Sequence, residues 1–270
     1  MRAFEHITTW PVDHVAAAVI DPRGEIHLHG DESRVFRLAS VSKVITAWAV
    51  LVACEEGTVS LADPIGQEGC TVRHLLAHAG GYPFEGTAPI GAPAVRRTYS
   101  NTGYEMLSNH LADCSGMDFW DYVDGAVFEP LGIVAEPQSG SAAKDARLDI
   151  VHLSLFLAEM RRPRLLARDS FVEAVTPQFD ELDGIVPGLG KFDPCPWGLG
   201  PEIRGNKHPH WMSPHNSAVS YGHFGGSGTF VWVDPITDVA CAVLADREFD
   251  EWALAHWPEF SSAVLAEFAR

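Results

Sequence analysis

The stretch SVSKVITAWAVLVACEEG (residues 40–57) predicts the central helix of this chain and places two reactive groups at its start. Its apolar residues recur with helical spacing, few charges precede Glu55, and Gly57 supplies a stop. Ser40 and Lys43 are three positions apart, so a helix brings their side chains to one face. Both burial and the positive end of the helix dipole disfavour a protonated amine, so Lys43 is expected to lose its proton unusually easily. The pair is therefore a candidate nucleophile and base. A capping serine followed by a solvated lysine stays the alternative, because S-x-x-K often arises by chance.

The composition excludes several classes of function. A formal net charge of −17 argues against a nucleic-acid partner, because phosphates would be repelled. Residues 1–15 lack the basic start and apolar run of a signal peptide, and no stretch reaches the ~20 apolar residues of a membrane span. We therefore expect a cytoplasmic protein with no membrane association. The cysteines are scattered without a C-x-x-C, which indicates free thiols and no zinc or disulfide framework. They are Cys54, Cys70, Cys114, Cys195 and Cys241.

Hairpin patterns lie at both ends of the chain. Turn residues Pro22 and Gly24 separate the first two strand-like runs, and Asp234-Pro235 separates the last two. The predicted strands are 15–20, 25–30, 34–38, 228–234 and 238–245. We expect the two hairpins to share one antiparallel sheet, with the helix after Ser40 and a final helix over 252–270 packed on it.

The middle of the chain reads as helices joined by loops rich in Gly and Pro. The helix candidates are 71–79, 104–114, 118–127, 145–161 and 169–176. Residues 183–217 show little periodicity and are predicted to form a long loop. The expected fold is thus α+β, with a discontinuous sheet lobe (1–57 and 218–270) and a mainly helical lobe (58–217). An active site is expected between the lobes, where pockets commonly form.

Two further motifs carry chemistry. Tyr99 and Asn101 lie one residue apart on a predicted loop just before a helix, so both can face one cleft. His223-Phe-Gly-Gly226 leads into a strand, and its glycines allow a backbone to approach a substrate closely.

The three motifs, Ser40-Val-Ser-Lys43, Tyr99-Ser-Asn101 and His223-Phe-Gly225, resemble in type and order those of the serine β-lactamase and penicillin-binding protein family. The likeness is strongest to its class C-like branch of esterases and D-amino-acid peptidases, and it covers about residues 15–245. Supporting segments are LVACEEGTVSLADPI (51–65), TVRHLLAHAGG (71–81), FEPLGI (128–133) and GHFGGSGTFVWVDP (222–235). The resemblance implies an antiparallel sheet with flanking helices plus an all-helical lobe, in agreement with the organisation above. No cofactor or metal is expected.

The resemblance also implies roles for individual residues. Ser40 is the nucleophile that forms an acyl-enzyme. Lys43 and Tyr99 form a proton-transfer pair, and which of them is the general base stays open. Asn101 positions the substrate or Lys43. The backbone N–H groups of Ser40 and Gly226 form the oxyanion hole.

The third motif departs from the family pattern. His223 stands where many relatives have lysine, and is expected to polarise the cleft or to bind an anionic substrate group. Phe224 replaces a Ser or Thr whose hydroxyl helps to hold a substrate carboxylate, and Gly225 is expected to contact substrate. Trp197 and Trp211 are candidates for the acyl pocket, with anchoring of the long loop as the alternative.

The predicted function is a serine hydrolase that cleaves a small ester or amide through an acyl-enzyme on Ser40, and a β-lactam is one candidate substrate. Acyl transfer at the same site is one alternative. A second is a non-catalytic binding or sensor module, suggested by Phe224. A third is a metal-dependent hydrolase that uses the histidine-rich loop. That loop contains His208, His210 and His215.

Overall fold

A computed structural model describes residues 1–268 and contains eleven strands and eight α-helices. The strands are β1 (Val15–Ile20), β2 (Ile26–Gly30), β3 (Phe36–Arg37), β4 (Arg97–Thr98), β5 (Arg147–Leu148), β6 (Gly184–Val186), β7 (Gly190–Phe192), β8 (Glu202–Ile203), β9 (Tyr221–Gly225), β10 (Thr229–Asp234) and β11 (Val239–Ala245). The helices are α1 (Ser42–Glu56), α2 (Val72–Leu76), α3 (Asn101–Ser115), α4 (Phe119–Val123), α5 (Glu129–Leu131), α6 (Ile150–Arg161), α7 (Arg168–Ala174) and α8 (Glu251–Phe268). Residues 269 and 270 of the predicted final helix lie outside the described residues.

The central element is a six-stranded antiparallel sheet in the order β2-β1-β11-β10-β9-β8. Strand β1 pairs with both β2 and β11, so the two terminal hairpins share one sheet as predicted. Successive side chains of a strand point to opposite faces, and both faces are buried here. Ala16 and Ala18 face one core, whereas Ala17 and Val19 face the other. The predicted α+β fold is confirmed.

Helices cover both faces of the sheet. Helix α8 and a 3₁₀ helix, Arg2–Thr9, pack on one face, and α6 lies against β1 and β11 on the other. Helix α1 packs mainly against α3 and the segment around α4, and meets α6 where Trp48 contacts Phe156 edge-on at 5.8 Å. Val44 and Ile45 of α1 belong to the same core cluster as Val231 and Val233 of the sheet, so α1, α6 and this face of the sheet share one core. How closely α1 itself approaches the sheet stays a prediction.

The predicted long loop, 183–217, contains three short strands. Strand β6 pairs with β7 and, in parallel, with β4, while β8 adds to the edge of the main sheet beside β9. The β4–β6 and β8–β9 pairings join residues well separated in sequence, which local periodicity does not reveal, whereas β6 and β7 form a short local hairpin that the sequence prediction missed. The lobe boundaries stay a prediction, and α6, within the predicted helical lobe, packs on the sheet. Over residues 1–268 we find no helix with the length and hydropathy to cross a bilayer.

Candidate active site

Ser40 lies on a 3₁₀ turn, Ala39–Val41, that leads directly into α1. Ala39 has a φ of 46°, in the left-handed region that a residue with a Cβ rarely adopts. The turn is held by Ser42, whose hydroxyl donates to the Ala39 carbonyl (2.6 Å) and accepts from the Ala146 amide (3.1 Å). Strain at one residue is thus kept in place by its surroundings, as is common at reactive sites.

Gly225 brings the end of β9 against this turn. A Cβ at Gly225 would collide with the Leu38 carbonyl oxygen, so only glycine permits the approach. Gly225 therefore packs on the nucleophile turn, whereas its neighbour Gly226 faces open space and lines the cleft.

Lys43 is fully buried, and its ammonium group has three acceptors. Nζ donates to Asn101 Oδ1 at 2.6 Å, to the Ala143 carbonyl at 3.0 Å and to Ser40 Oγ at 3.3 Å. Burial is the main reason that the pKa of Lys43 falls from 10.5 to about 7, with smaller opposing contributions from nearby charges. The amine is thus neutral in a large fraction of molecules near neutral pH.

Asn101 is the first residue of α3, so its predicted position on a loop before the helix was wrong. Ser100 caps α3 by accepting from the Gly103 amide at 2.9 Å, which starts the helix before the glycine. The Asn101 side chain links Lys43 to a carboxylate, because its Nδ2 donates to Glu85 Oε1 at 2.8 Å. Lys144 also binds Glu85 Oε1, at 2.9 Å. Glu85 lies in a loop without any hydrophobic periodicity or motif, and no sequence signal identified it as a site residue.

Tyr99 is half-buried beside the amine, with its ring centroid 4.8 Å from Lys43 Nζ. Burial raises the pKa of the Tyr99 hydroxyl well above its usual range, and a hydrogen bond with Ser40 lowers it by a smaller amount. His78 packs against the Tyr99 ring at 4.5 Å and accepts from the Ser100 amide at 3.1 Å, so it supports the whole segment. His78 was not among the predicted site residues.

His223 is buried and neutral. Its Nδ1 donates to the Phe224 carbonyl oxygen at 2.7 Å, which leaves the lone pair on Nε2. That Nε2 has no hydrogen-bond partner in residues 1–268. Burial, followed by the charge of Lys43, lowers the pKa of His223 to about 3. An uncharged imidazole is therefore expected throughout the physiological range.

Two neighbouring cavities have Ser40 in their walls. The larger, of about 820 Å³, is wide and carries several charged side chains. The smaller, of about 180 Å³, is lined mainly by rings, and Ser40, Phe84, Gly226 and Phe249 line both cavities. The remaining residues of the small pocket are Tyr99, Pro187, Gly188, Trp197, His223 and Phe224.

The two candidate tryptophans have different environments. Trp197 lines the small pocket, whereas Trp211 lies behind Phe224 with ring centroids 5.7 Å apart. Trp211 donates to Glu202 Oε2 at 2.7 Å, and Lys207 Nζ lies 2.7 Å from Glu202 Oε1. This buried ion pair anchors the long segment behind the pocket, and the sequence contained no signal for it.

The histidine-rich loop contributes to the same anchor. His210 Nε2 contacts Glu202 at 3.1 Å, and its Nδ1 accepts from the Met212 amide at 3.1 Å. Both ring nitrogens are thus engaged in holding the loop, which leaves His210 without a free ligand atom for a metal.

A sequence profile described as Beta-lactamase matches residues 13–154, more than half of the chain. Penicillin-binding protein 4* from Bacillus subtilis (strain 168) is 28% identical over a match covering 37% of this chain and 29% of that protein. The chain thus spans under a third of that relative.

Solved structures extend the likeness over the full chain. A beta-lactamase from Mycobacterium bovis is 45% identical, with a TM-score of 0.97, and the match covers 99% of this chain and 100% of that one. A mutant simvastatin synthase from Aspergillus terreus (TM-score 0.80, 14% identity, 98% and 93% coverage) has the same fold. So does an octameric penicillin-binding protein homologue from Pyrococcus abyssi (TM-score 0.76, 18% identity, 97% and 75% coverage).

Proposed function

The chain belongs to the beta-lactamase family, and from this premise we propose that it is a serine hydrolase that cleaves a small ester or amide through an acyl-enzyme on Ser40. The observation that carries the proposal is the state of Lys43. Its amine is fully buried, has a pKa of about 7, and lies 3.3 Å from the Ser40 hydroxyl. A binding module does not need a buried amine beside a hydroxyl, whereas acyl transfer does.

The contacts of Lys43 favour it as the general base. A neutral amine has two N–H bonds, which Asn101 Oδ1 and the Ala143 carbonyl accept at the shorter distances. Its lone pair then faces Ser40. In acylation the Ser40 proton moves to Lys43 while Oγ bonds to the acyl carbon. The N–H groups of Ser40 and Gly226 receive the developing oxyanion, and such a donor is worth about 3–4 kcal/mol.

Tyr99 suits the opposite role. Because its pKa is raised, its hydroxyl keeps its proton at neutral pH and can donate it to the leaving oxygen or nitrogen. The proton held by Lys43 then restores Tyr99. Water attacks the acyl-enzyme in the second half-reaction, and its proton returns to Ser40 through the same pair.

The small pocket indicates the kind of acyl group. Its walls include Trp197, Phe224 and Phe249. With a volume of about 180 Å³, the pocket has room for a short acyl group. The ring of Phe224 occupies the place of a hydroxyl that would hold a carboxylate. The pocket therefore supports a short, apolar acyl ester over a carboxylate-bearing β-lactam.

Acyl transfer to an alcohol or amine is the second candidate. The larger cavity, of about 820 Å³, has room for an acceptor while the acyl group occupies the small pocket. The cytoplasmic location and the small-molecule substrate predicted from sequence stay predictions.

The test is turnover of a 4-nitrophenyl butyrate ester and of a chromogenic cephalosporin by wild type, Ser40→Ala and Ser33→Ala. Ser33 is an exposed serine that makes only a local contact with Asp31, so its variant controls for substitution itself. Ester turnover should vanish in Ser40→Ala and persist in Ser33→Ala, with thermal melts nearly unchanged.

Three further outcomes are informative. Turnover retained in Ser40→Ala would refute the nucleophile assignment. Added ethanol or an amine would reveal transfer through a new ester or amide product. If neither substrate turns over, intact-mass detection of an adduct on Ser40 separates stalled acylation from an inert site.

A further inference from the structure

Two arginines face each other across the short β3–β5 ladder beside the nucleophile turn. Arg37 and Arg147 are direct partners in the antiparallel register, and both line the larger cavity. Like charges placed directly opposite each other destabilise a ladder. The pair therefore opposes folding, and its position at the cleft points to a ligand.

The backbone of β5 does not need the Arg147 side chain. The Arg147 amide donates to the side-chain oxygen of Gln138 at 2.8 Å, and its carbonyl accepts from the Gln138 amide nitrogen at 3.1 Å. The guanidinium itself has no ion pair or hydrogen bond in the part of the chain described. Arg37 contacts one oxygen of Asp145 at 3.1 Å and stays about half exposed. One guanidinium is thus unengaged, and the other has donors to spare.

The wider cavity concentrates positive charge. Four of the chain's 19 Lys and Arg residues line it, against two of the 36 acidic residues. The cations are Arg34, Arg37, Lys144 and Arg147, and the acids are Asp246 and Glu248. Arg34 lies 4.0 Å from Asp246, and Lys144 binds Glu85, so neither is as available as Arg147. In a chain with a net charge of −17, this enrichment is local to the cleft.

We propose that Arg37 and Arg147 form a subsite for an anionic oxygen group, a carboxylate or a phosphate, on the leaving alcohol of the substrate. The inference rests on the proposed function, because the apolar small pocket takes the acyl group and leaves the larger cavity to the alcohol. Guanidinium groups pair with both kinds of anion through two parallel hydrogen bonds. Arg37 and Arg147 line the larger cavity, whereas Phe224 lines only the small pocket, so the subsite does not replace the missing hydroxyl at that position.

The test compares phenyl acetates that differ only in the para group: carboxylate, phosphonate or neutral carboxamide. For each enzyme, kcat/KM for an anionic ester is divided by kcat/KM for the carboxamide. Comparing this ratio between enzymes cancels the intrinsic reactivity of the esters. The enzymes are wild type, Arg147→Gln, Arg37→Gln/Arg147→Gln, and Arg168→Gln. Arg168 is an exposed arginine beside a different surface cleft, so its variant is matched in charge.

We expect the ratio to fall about tenfold in Arg147→Gln, further in the double variant, and not in Arg168→Gln. The carboxylate and phosphonate arms identify which anion is preferred. The preference should weaken as salt is raised from 20 to 500 mM. Because the arginines repel each other, Arg147→Gln should melt no lower than wild type; a lower melt would assign Arg147 a structural role and overturn the proposal.

An unchanged ratio, with the neutral ester still turned over by Ser40, overturns the subsite and leaves the proposed function intact. If no ester turns over, calorimetry with benzoate, phenylphosphonate and benzamide decides. Anion binding that is lost in Arg147→Gln supports the subsite even without catalysis, and equal or absent binding in both proteins overturns it.

Discussion

Glu85→Gln is expected to move the acidic limb of the pH–rate profile down by about half a unit, and Lys144→Gln to move it up. In wild type this limb should lie near pH 7, because Lys43 must lose its proton to act as a base and its pKa is about 7. The carboxylate of Glu85 raises the pKa of Lys43, and the ammonium of Lys144 lowers it. Neutralising Glu85 should therefore lower the pKa of Lys43, and neutralising Lys144 should raise it.

The structure sets the size of the shift. The contacts from Glu85 through the Asn101 amide to Lys43 span at most about 8 Å, where a unit charge changes the energy of the amine by about 0.5 kcal/mol in water and 2 kcal/mol at an effective dielectric of 20. The Glu85 side chain is more than half exposed, so the lower value applies more closely. One pKa unit corresponds to about 1.4 kcal/mol, which gives roughly half a unit.

The assay is kcat/KM for a neutral ester between pH 5 and 9, followed at a wavelength where absorbance of the product does not depend on pH. With a neutral substrate, the profile reports groups on the free enzyme. His223, with a pKa of about 3, and Tyr99, whose pKa is raised, do not titrate within this range. Arg168→Gln is the control and should leave the limb in place.

An acidic limb above pH 9 in wild type would refute the role of Lys43 as a neutral base, since Lys43 would then be an ordinary, protonated lysine. Shifts of the two variants in the same direction would also refute it, because opposite charges must act oppositely. A large loss of plateau activity in Glu85→Gln without a shift would assign Glu85 to holding Asn101 alone.

Three further substitutions test the packing around the site. Lys43→Met should abolish activity and stabilise the fold at pH 7. In the unfolded chain the lysine keeps its proton up to about pH 10.5, whereas in the native chain it loses the proton near pH 7, so the free energy of unfolding of wild type rises with pH. The difference in free energy of unfolding between Lys43→Met and wild type should therefore shrink by about 2 kcal/mol between pH 7 and pH 9, as measured by urea denaturation. Phe224→Ser should lower the free energy of unfolding by about 3–5 kcal/mol, because the ring is buried against Phe249, and should improve binding of carboxylate-bearing β-lactams; no change in either would place the ring outside the pocket. Glu202→Gln should cost about 3–5 kcal/mol by leaving Lys207 as an unpaired buried charge, and a melt within 2 °C of wild type would contradict this.

Local sequence determined much of this protein. The apolar period after Ser40 specified α1, and the i to i+3 spacing placed Lys43 beside Ser40 within one helical turn. The two terminal hairpins were predictable from turn residues and alternation. Their union in one sheet followed, because a two-stranded hairpin is marginally stable alone and needs partners.

The tertiary structure alone decided which groups tune the site. Glu85 reaches Asn101 from a loop without periodicity, and Glu202 contacts Lys207 inside a segment that was predicted to be a long loop. The low pKa of Lys43 also depends on complete burial by segments far away in sequence.

The arginine pair is a further feature that the tertiary structure decided and the local sequence did not. Residues 37 and 147 are 110 positions apart, and nothing in either local pattern indicates that they face each other. The spacing of apolar residues indicates which face of a helix or strand is buried, so it predicts helices, strands and the residues that are neighbours within one helical turn. Charge pairing across strands depends on register and on loop paths, and these are settled only when the whole chain packs.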